Sequence, residues 1–201
     1  MRITKEDYRR VAEAIQAAEQ KTGVEIVCVL ARRSSDYSYV PALWASFVAL
    51  ATPWPLILFT HLPVREIFAT QIAVFIAAAL LFQLTPLHSL LTPRRIKRAR
   101  AHRAALEQFF TRGVGRTSDR RGVLIFASLA ERYARIIADV GVAEKIKDEE
   151  WRAALDPLRE DLRAGRVADG YIAAIAETTR LLDGRFPPGG KDELPDKLFV
   201  M

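Results

Sequence analysis

The hydrophobic pattern changes period several times along the chain. Tyr8, Val11, Ala12, Ile15 and Ala18 recur at helical spacing behind a Thr4–Asp7 capping signature, and Gly23 marks the helix end. Val24 to Leu30 is apolar on both faces, which predicts a central strand rather than an edge one. Two long uncharged runs follow, about 40–59 and 67–84, joined by the short connection Thr60-His61-Leu62-Pro63-Val64-Arg65-Glu66. Thr92-Pro93 then opens a helix with Ile96, Ala99, Leu106, Phe109 and Phe110 directed toward a core. Gly122 to Leu129 predicts a second buried strand, and a tight turn at Ala130-Glu131-Arg132 leads to a third from Tyr133 to Asp139. Two helical patterns close the domain, Trp151-Leu155-Leu158-Leu162, interrupted by Pro157, and Tyr171-Ile172-Ile175-Leu182.

A strand, a crossover containing a helix, and a second strand favour parallel pairing; the short turn to the third favours antiparallel pairing. The expected fold class is therefore α/β, a small three- or four-stranded mixed sheet flanked by helices and interrupted by a two-helix transmembrane hairpin. The expected divisions are 1–36 and 92–186 for the two parts of the domain, 37–91 for the hairpin, and 187–201 for an extended tail.

Charge sharpens the picture. No charged residue lies between Asp36 and Arg65 or between Glu66 and Arg94, although Lys, Arg, Asp and Glu alternate every few residues elsewhere. Roughly twenty residues cross a hydrocarbon core, so both runs are long enough. Helices buried in a soluble core would carry more polar punctuation. Trp44 and Trp54 sit near the two ends of the first run, as interfacial aromatics do, while Pro53 and Pro55 predict a kinked last turn.

The net charge of +6 is concentrated after the second run, at Arg94, Arg95, Lys97, Arg98, Arg100 and Arg103. That placement favours lipid headgroups over nucleic acid, at about 1 kcal/mol per nearby cation. Arg32 and Arg33 precede the first run, whereas the connection contributes Arg65 alone. The positive-inside rule then puts both termini in the cytoplasm. The charged first residues predict insertion through the internal segments, and the internal Lys191-Asp192-Glu193-Leu194 string is not a retention signal.

Chemistry is less sharply written. The strand directions bring Glu25, Asp119 and Asp139 to one rim of the sheet, where carboxylates suit a hard cation such as calcium. Arg116, Arg120 and Arg121 are alternative partners for Asp119, and Asp139 suits a helix cap. Gly113-Val114-Gly115 lacks the context of a phosphate loop. His61, His88 and His102 are scattered, Ser128 has no evident base, and Cys28 reads as a small buried hydrophobe.

Glu19-Gln20-Lys21-Thr22-Gly23-Val24-Glu25-Ile26-Val27, Arg121 to Arg132, Ile136 to Val142, Phe186-Pro187-Pro188 and Glu193-Leu194-Pro195-Asp196 together resemble the TPM domain. The closer resemblance is to the bacterial branch in which two transmembrane helices interrupt that domain. It implies the small α/β fold of thylakoid-lumen proteins linked to photosystem repair. Relatives include acid phosphatases, calcium binders and accessory subunits of membrane receptors. The expected function is a non-enzymatic assembly, maintenance or accessory factor that binds the bilayer, its anionic headgroups and other membrane proteins. The alternative is a membrane-anchored metal-dependent phosphatase using the acidic rim.

Overall fold

The structure, a computed structural model, describes residues 3–35, 39–84, 92–189, 191 and 193–201. It divides into two units, residues 1–35 with 98–201, and residues 36–97. His88 and the outer limits of the hairpin drawn at 37 and 91 lie outside the described residues.

In the first unit, α1 (Lys5–Thr22) is opened by Thr4, whose hydroxyl accepts the Asp7 N–H while the Asp7 carboxylate accepts the Thr4 N–H. This reciprocal pair satisfies two otherwise orphaned donors. Its buried stripe, Val11, Ile15, Ala18 and Thr22, faces the core, and Gly23 caps its end in the left-handed region at φ 58°.

Strand β1 (Glu25–Ala31) is buried along its whole length, as is β2 (Gly122–Ser128). They pair in parallel, with Glu25 opposite Gly122 and Ala31 opposite Ser128. The edge strand β3 (Tyr133–Ala138) runs antiparallel to β2. The tail supplies β4 (Leu198–Val200), which pairs in parallel with β1. The four-stranded order is β3-β2-β1-β4.

Because side chains alternate along a strand, the sheet has two apolar faces. Ile26, Cys28, Leu30, Val123 and Ile125 meet the stripe of α1 and the helices that close the domain. Those are α7 (Asp148–Ala154), α8 (Asp156–Arg163) and α9 (Val167–Leu182), with the short α6 (Val140–Ala143) before them. Pro157 sits in the first turn of α8, so the interruption expected there becomes the boundary at Leu155 between two short helices. Val27, Val29, Leu124 and Phe126 meet Ala104, Ala105 and Phe109 of α5 (Arg94–Thr111). The sheet is thus a middle layer between helices.

Two contacts fix the layers. Tyr171 of α9 is wholly buried and its hydroxyl donates to the Val29 carbonyl at 2.6 Å. Gly122 begins β2 directly beneath the turn at Val114, and a Cβ there would lie 2.1 Å from the Val114 carbonyl oxygen.

In the second unit, α2 (Tyr39–Ala51) and α3 (Pro53–Phe59) are separated at Thr52, where Pro53 and Pro55 remove helical donors. The Thr52 hydroxyl bonds back to Val48 at 2.9 Å. Helix α4 (Val64–Leu84) packs against α2 across a seam that buries Ala45, Ala49 and Ile67. Small residues let helix backbones approach closely. The outward side chains are large and apolar, among them Phe47, Trp54, Leu58, Phe68, Ile72 and Leu81.

Candidate functional site

The register places Glu25 and Asp139 at one end of the sheet, because Glu25 faces Gly122 and the Asp139 N–H donates to the Gly122 carbonyl at 2.8 Å. Asp119 stands on the loop entering β2, and the backbone of Asp119 and Arg120 passes so near Gly141 that a Cβ there would lie 2.7 Å from the Arg120 carbonyl oxygen.

The three carboxylates have different surroundings. Asp139 is buried; Arg120 grips it with Nε to Oδ2 at 2.7 Å and Nη2 to Oδ1 at 2.8 Å, and Oδ1 also accepts the Val140 N–H at 2.8 Å. It therefore caps α6 and anchors the loop before β2. Glu25, also buried, accepts the Leu194 N–H at 2.9 Å. Asp119 is exposed. Among the described residues no group of three or more His, Cys, Asp or Glu side chains is arranged to hold a metal ion. Asp139 and Glu25 instead tie loop and tail to the sheet.

Two further acids join this rim. Glu19 lies four residues beyond Ile15 in the stripe of α1, and its Oε1 accepts the Ile26 N–H at 2.7 Å. Burial, chiefly, pushes the Glu19 carboxyl up to about 9; a hydrogen bond from its protonated form to the Asp196 carboxylate and the nearby Glu25 and Asp196 charges act in the same direction, and the Ile26 N–H opposes them. Glu19 thus holds its proton at neutral pH. The signal was present in the sequence as an acid in phase with the apolar stripe. Asp196 had no such signal, because the tail has no periodicity.

The tail closes over this end through several bonds. The Glu193 carboxylate accepts the Ser118 N–H and hydroxyl, and Arg112 stacks over the Phe199 ring at 3.7 Å. At the other end of β1, past β4, the Met201 N–H donates to the Leu30 carbonyl and the Arg32 N–H to the Met201 carbonyl.

The opposite end of the sheet is met by the cationic residues Arg98 and Arg100 of α5. Of the basic residues expected to meet headgroups, Arg94, Arg95, Arg98 and Arg103 are exposed on α5, and Lys97 and Arg100 are half-buried. Arg100 Nη1 donates to the Ser35 hydroxyl at 2.8 Å. Ser128, buried at this end, donates to Glu131, which also accepts the Ser34 N–H at 3.1 Å. Cys28 is buried in the core, which raises its thiol well above the ordinary range. His61 stands in the hairpin connection and His102 on α5, in separate units.

The fold is a small α/β domain whose sequence is interrupted by an apolar helical segment. Residues 89–181 match the family model of the TPM domain. Residues 89–181 thus carry a TPM domain, and two apolar helices precede them. The NMR structure of BA42 protein from the psychrophilic bacterium Bizionia argentinensis sp. nov. is similar over 100% of this chain and 97% of that one. The TM-score is 0.62 and the identity 16%, a likeness of fold. No curated protein matches the chain.

Proposed function

We propose that this chain is an integral protein of the bacterial inner membrane, with both termini in the cytoplasm. Its TPM domain serves as a non-enzymatic docking module for the assembly or upkeep of a membrane complex. The observation that carries the reading is the surface of the inserted helices. Tyr39–Phe59 and Val64–Leu84 are each 21 residues long and apolar enough to cross a membrane. Only 11% and 6% of their most apolar windows is buried, whereas the core helix of a soluble protein would be mostly covered. Water is a poor solvent for such a surface and hydrocarbon a good one.

The arrangement of the acidic rim supports a docking rather than a catalytic role. Asp139 is committed to Arg120 and to the start of α6, and Glu25 to the tail. These bonds shape a surface. The polybasic start of α5 gives the domain an electrostatic attraction to anionic headgroups.

The test is twofold. Purified protein given a phosphate monoester, with and without calcium, is expected to show no turnover. Metal-dependent turnover abolished by Asp139→Ala would replace this reading with a membrane-anchored phosphatase. Gentle detergent extraction is expected to retain a second membrane protein in fixed proportion; its loss in chains with altered domain surface residues locates the contact.

A further inference from the structure

At the cationic end of the sheet, three residues from the edge strand and its covering helix converge on one phenol. Tyr133 opens β3, and its hydroxyl lies 3.2 Å from His102 Nδ1. Arg98 stands one turn before His102 on α5, since residues four apart share a helix face. Arg135 is two residues beyond Tyr133, so both project from the same face of β3. Tyr133 packs edge-on against Phe126, which places this face beneath α5. The Arg135 and Arg98 guanidiniums, with Arg159 from α8, are near enough to act electrostatically on the phenol.

The cluster carries a surplus of positive charge. Arg159 is paired with Asp156 at 2.7 Å. Arg98 and Arg135, both exposed, take part in none of the ion pairs among the described residues. His102 is held below the usual imidazole range, first by burial and then by Arg135. Two guanidiniums, a phenol and an imidazole offer donors in several directions, and neither guanidinium is ion-paired among the described residues. That is the chemistry of a phosphate seat.

Its place in the fold selects the source of the phosphate. Tyr133 faces Ser128, which faces Ala31, the last residue of β1. Residues 32–38 alone separate Ala31 from the start of α2 at Tyr39. Seven residues extend at most about 25 Å. If the hairpin spans a bilayer, that short tether joins this end of the sheet to the membrane span.

We propose that Arg98, His102, Tyr133 and Arg135 form a seat for the phosphate of an anionic membrane lipid, which orients the TPM domain on the membrane surface. The proposal rests on the membrane reading given above. Arg98 and Arg135 neutralise the phosphate, Tyr133 donates its hydroxyl, and His102 gains a proton and becomes a further donor.

The test uses the full chain carrying His61→Gln and His88→Gln, so that His102 is the sole imidazole. The protein is placed in nanodiscs of phosphatidylcholine alone or mixed with phosphatidylglycerol, and the His102 ring is titrated by NMR. Phosphatidylglycerol is expected to raise its midpoint by about one pH unit. Arg98→Gln with Arg135→Gln should abolish the rise, and the corresponding double lysine variant should retain most of it. A rise that survives the double glutamine change reflects surface potential only and overturns the seat, as does an absence of any rise. Inorganic phosphate producing the same rise in phosphatidylcholine discs would assign the site to a soluble anion and overturn the lipid. Failure of the chain to remain with the discs would remove the membrane reading itself, an outcome distinct from the others.

Discussion

The carboxylate of Glu25, at the start of the central strand, accepts the backbone N–H of Leu194 at 2.9 Å, across 169 residues of sequence. It fastens the tail just before Leu198–Val200 adds to the sheet beside β1. Glu25→Ala should free the tail. The amides of Phe199 and Met201 are expected to exchange several-fold faster with solvent, and the domain to lose about 1–3 kcal/mol. Hydrogen exchange read by mass spectrometry checks this; unchanged protection at the tail would show that β4 holds without the clasp.

Asp139 holds the opposite side of the same rim. Asp139→Ala removes an N-cap, costing about 1 kcal/mol for the cap alone, and leaves Arg120 without its bidentate partner. Asp139→Asn keeps an acceptor for the Val140 N–H and should melt between the wild type and the alanine variant. Thermal unfolding of the detergent-solubilised chain gives the order. If asparagine and alanine melt together, the cap contributes nothing.

Glu19 makes stability depend on pH in an unusual direction for a carboxyl. Its folded value, about 9, lies above the unfolded one, so the folded state binds more protons between the two. The contribution is therefore full below pH 4.5, the ordinary value of the group, and is lost as pH rises toward about 9. The slope is at most about 1.4 kcal/mol per pH unit, and smaller for a group not fully buried. Glu19→Gln should flatten the profile between pH 5 and about 9. Denaturation series at several pH values check it; a wild-type profile already flat in that window would contradict the protonated carboxyl.

Tyr171 anchors α9 to the middle of the sheet through the Val29 carbonyl. Tyr171→Phe keeps the ring and removes the bond, so a loss of about 1–2 kcal/mol is expected, measured by chemical denaturation. A neutral substitution would mean that the carbonyl is satisfied by its strand partner alone.

Much of the fold was legible because the strands are buried on both faces. Val24 to Leu30 and Gly122 to Leu129 stand out as apolar runs, and the turn at Ala130 to Arg132 fixes the direction of the third strand. Leu198-Phe199-Val200 is too short to signal a strand; it becomes one because β1, apolar on both faces, needs a neighbour along its second edge. The acidic rim followed from strand directions for Glu25 and Asp139. What these carboxylates bond to did not, since Arg120 and Leu194 are brought to them by loop closure. The Tyr133–His102 pair was less visible still. Its members lie on different elements, and only the packing of α5 over Phe126 brings them together.

The central claim is that the inserted helices cross a bilayer and leave both parts of the domain on the cytoplasmic side. Alkaline phosphatase joined within the His61–Leu62 connection and at Met201 measures this directly in cells. Activity at the connection and none at Met201 is the predicted result. Activity at Met201, or silence at both positions, would contradict it.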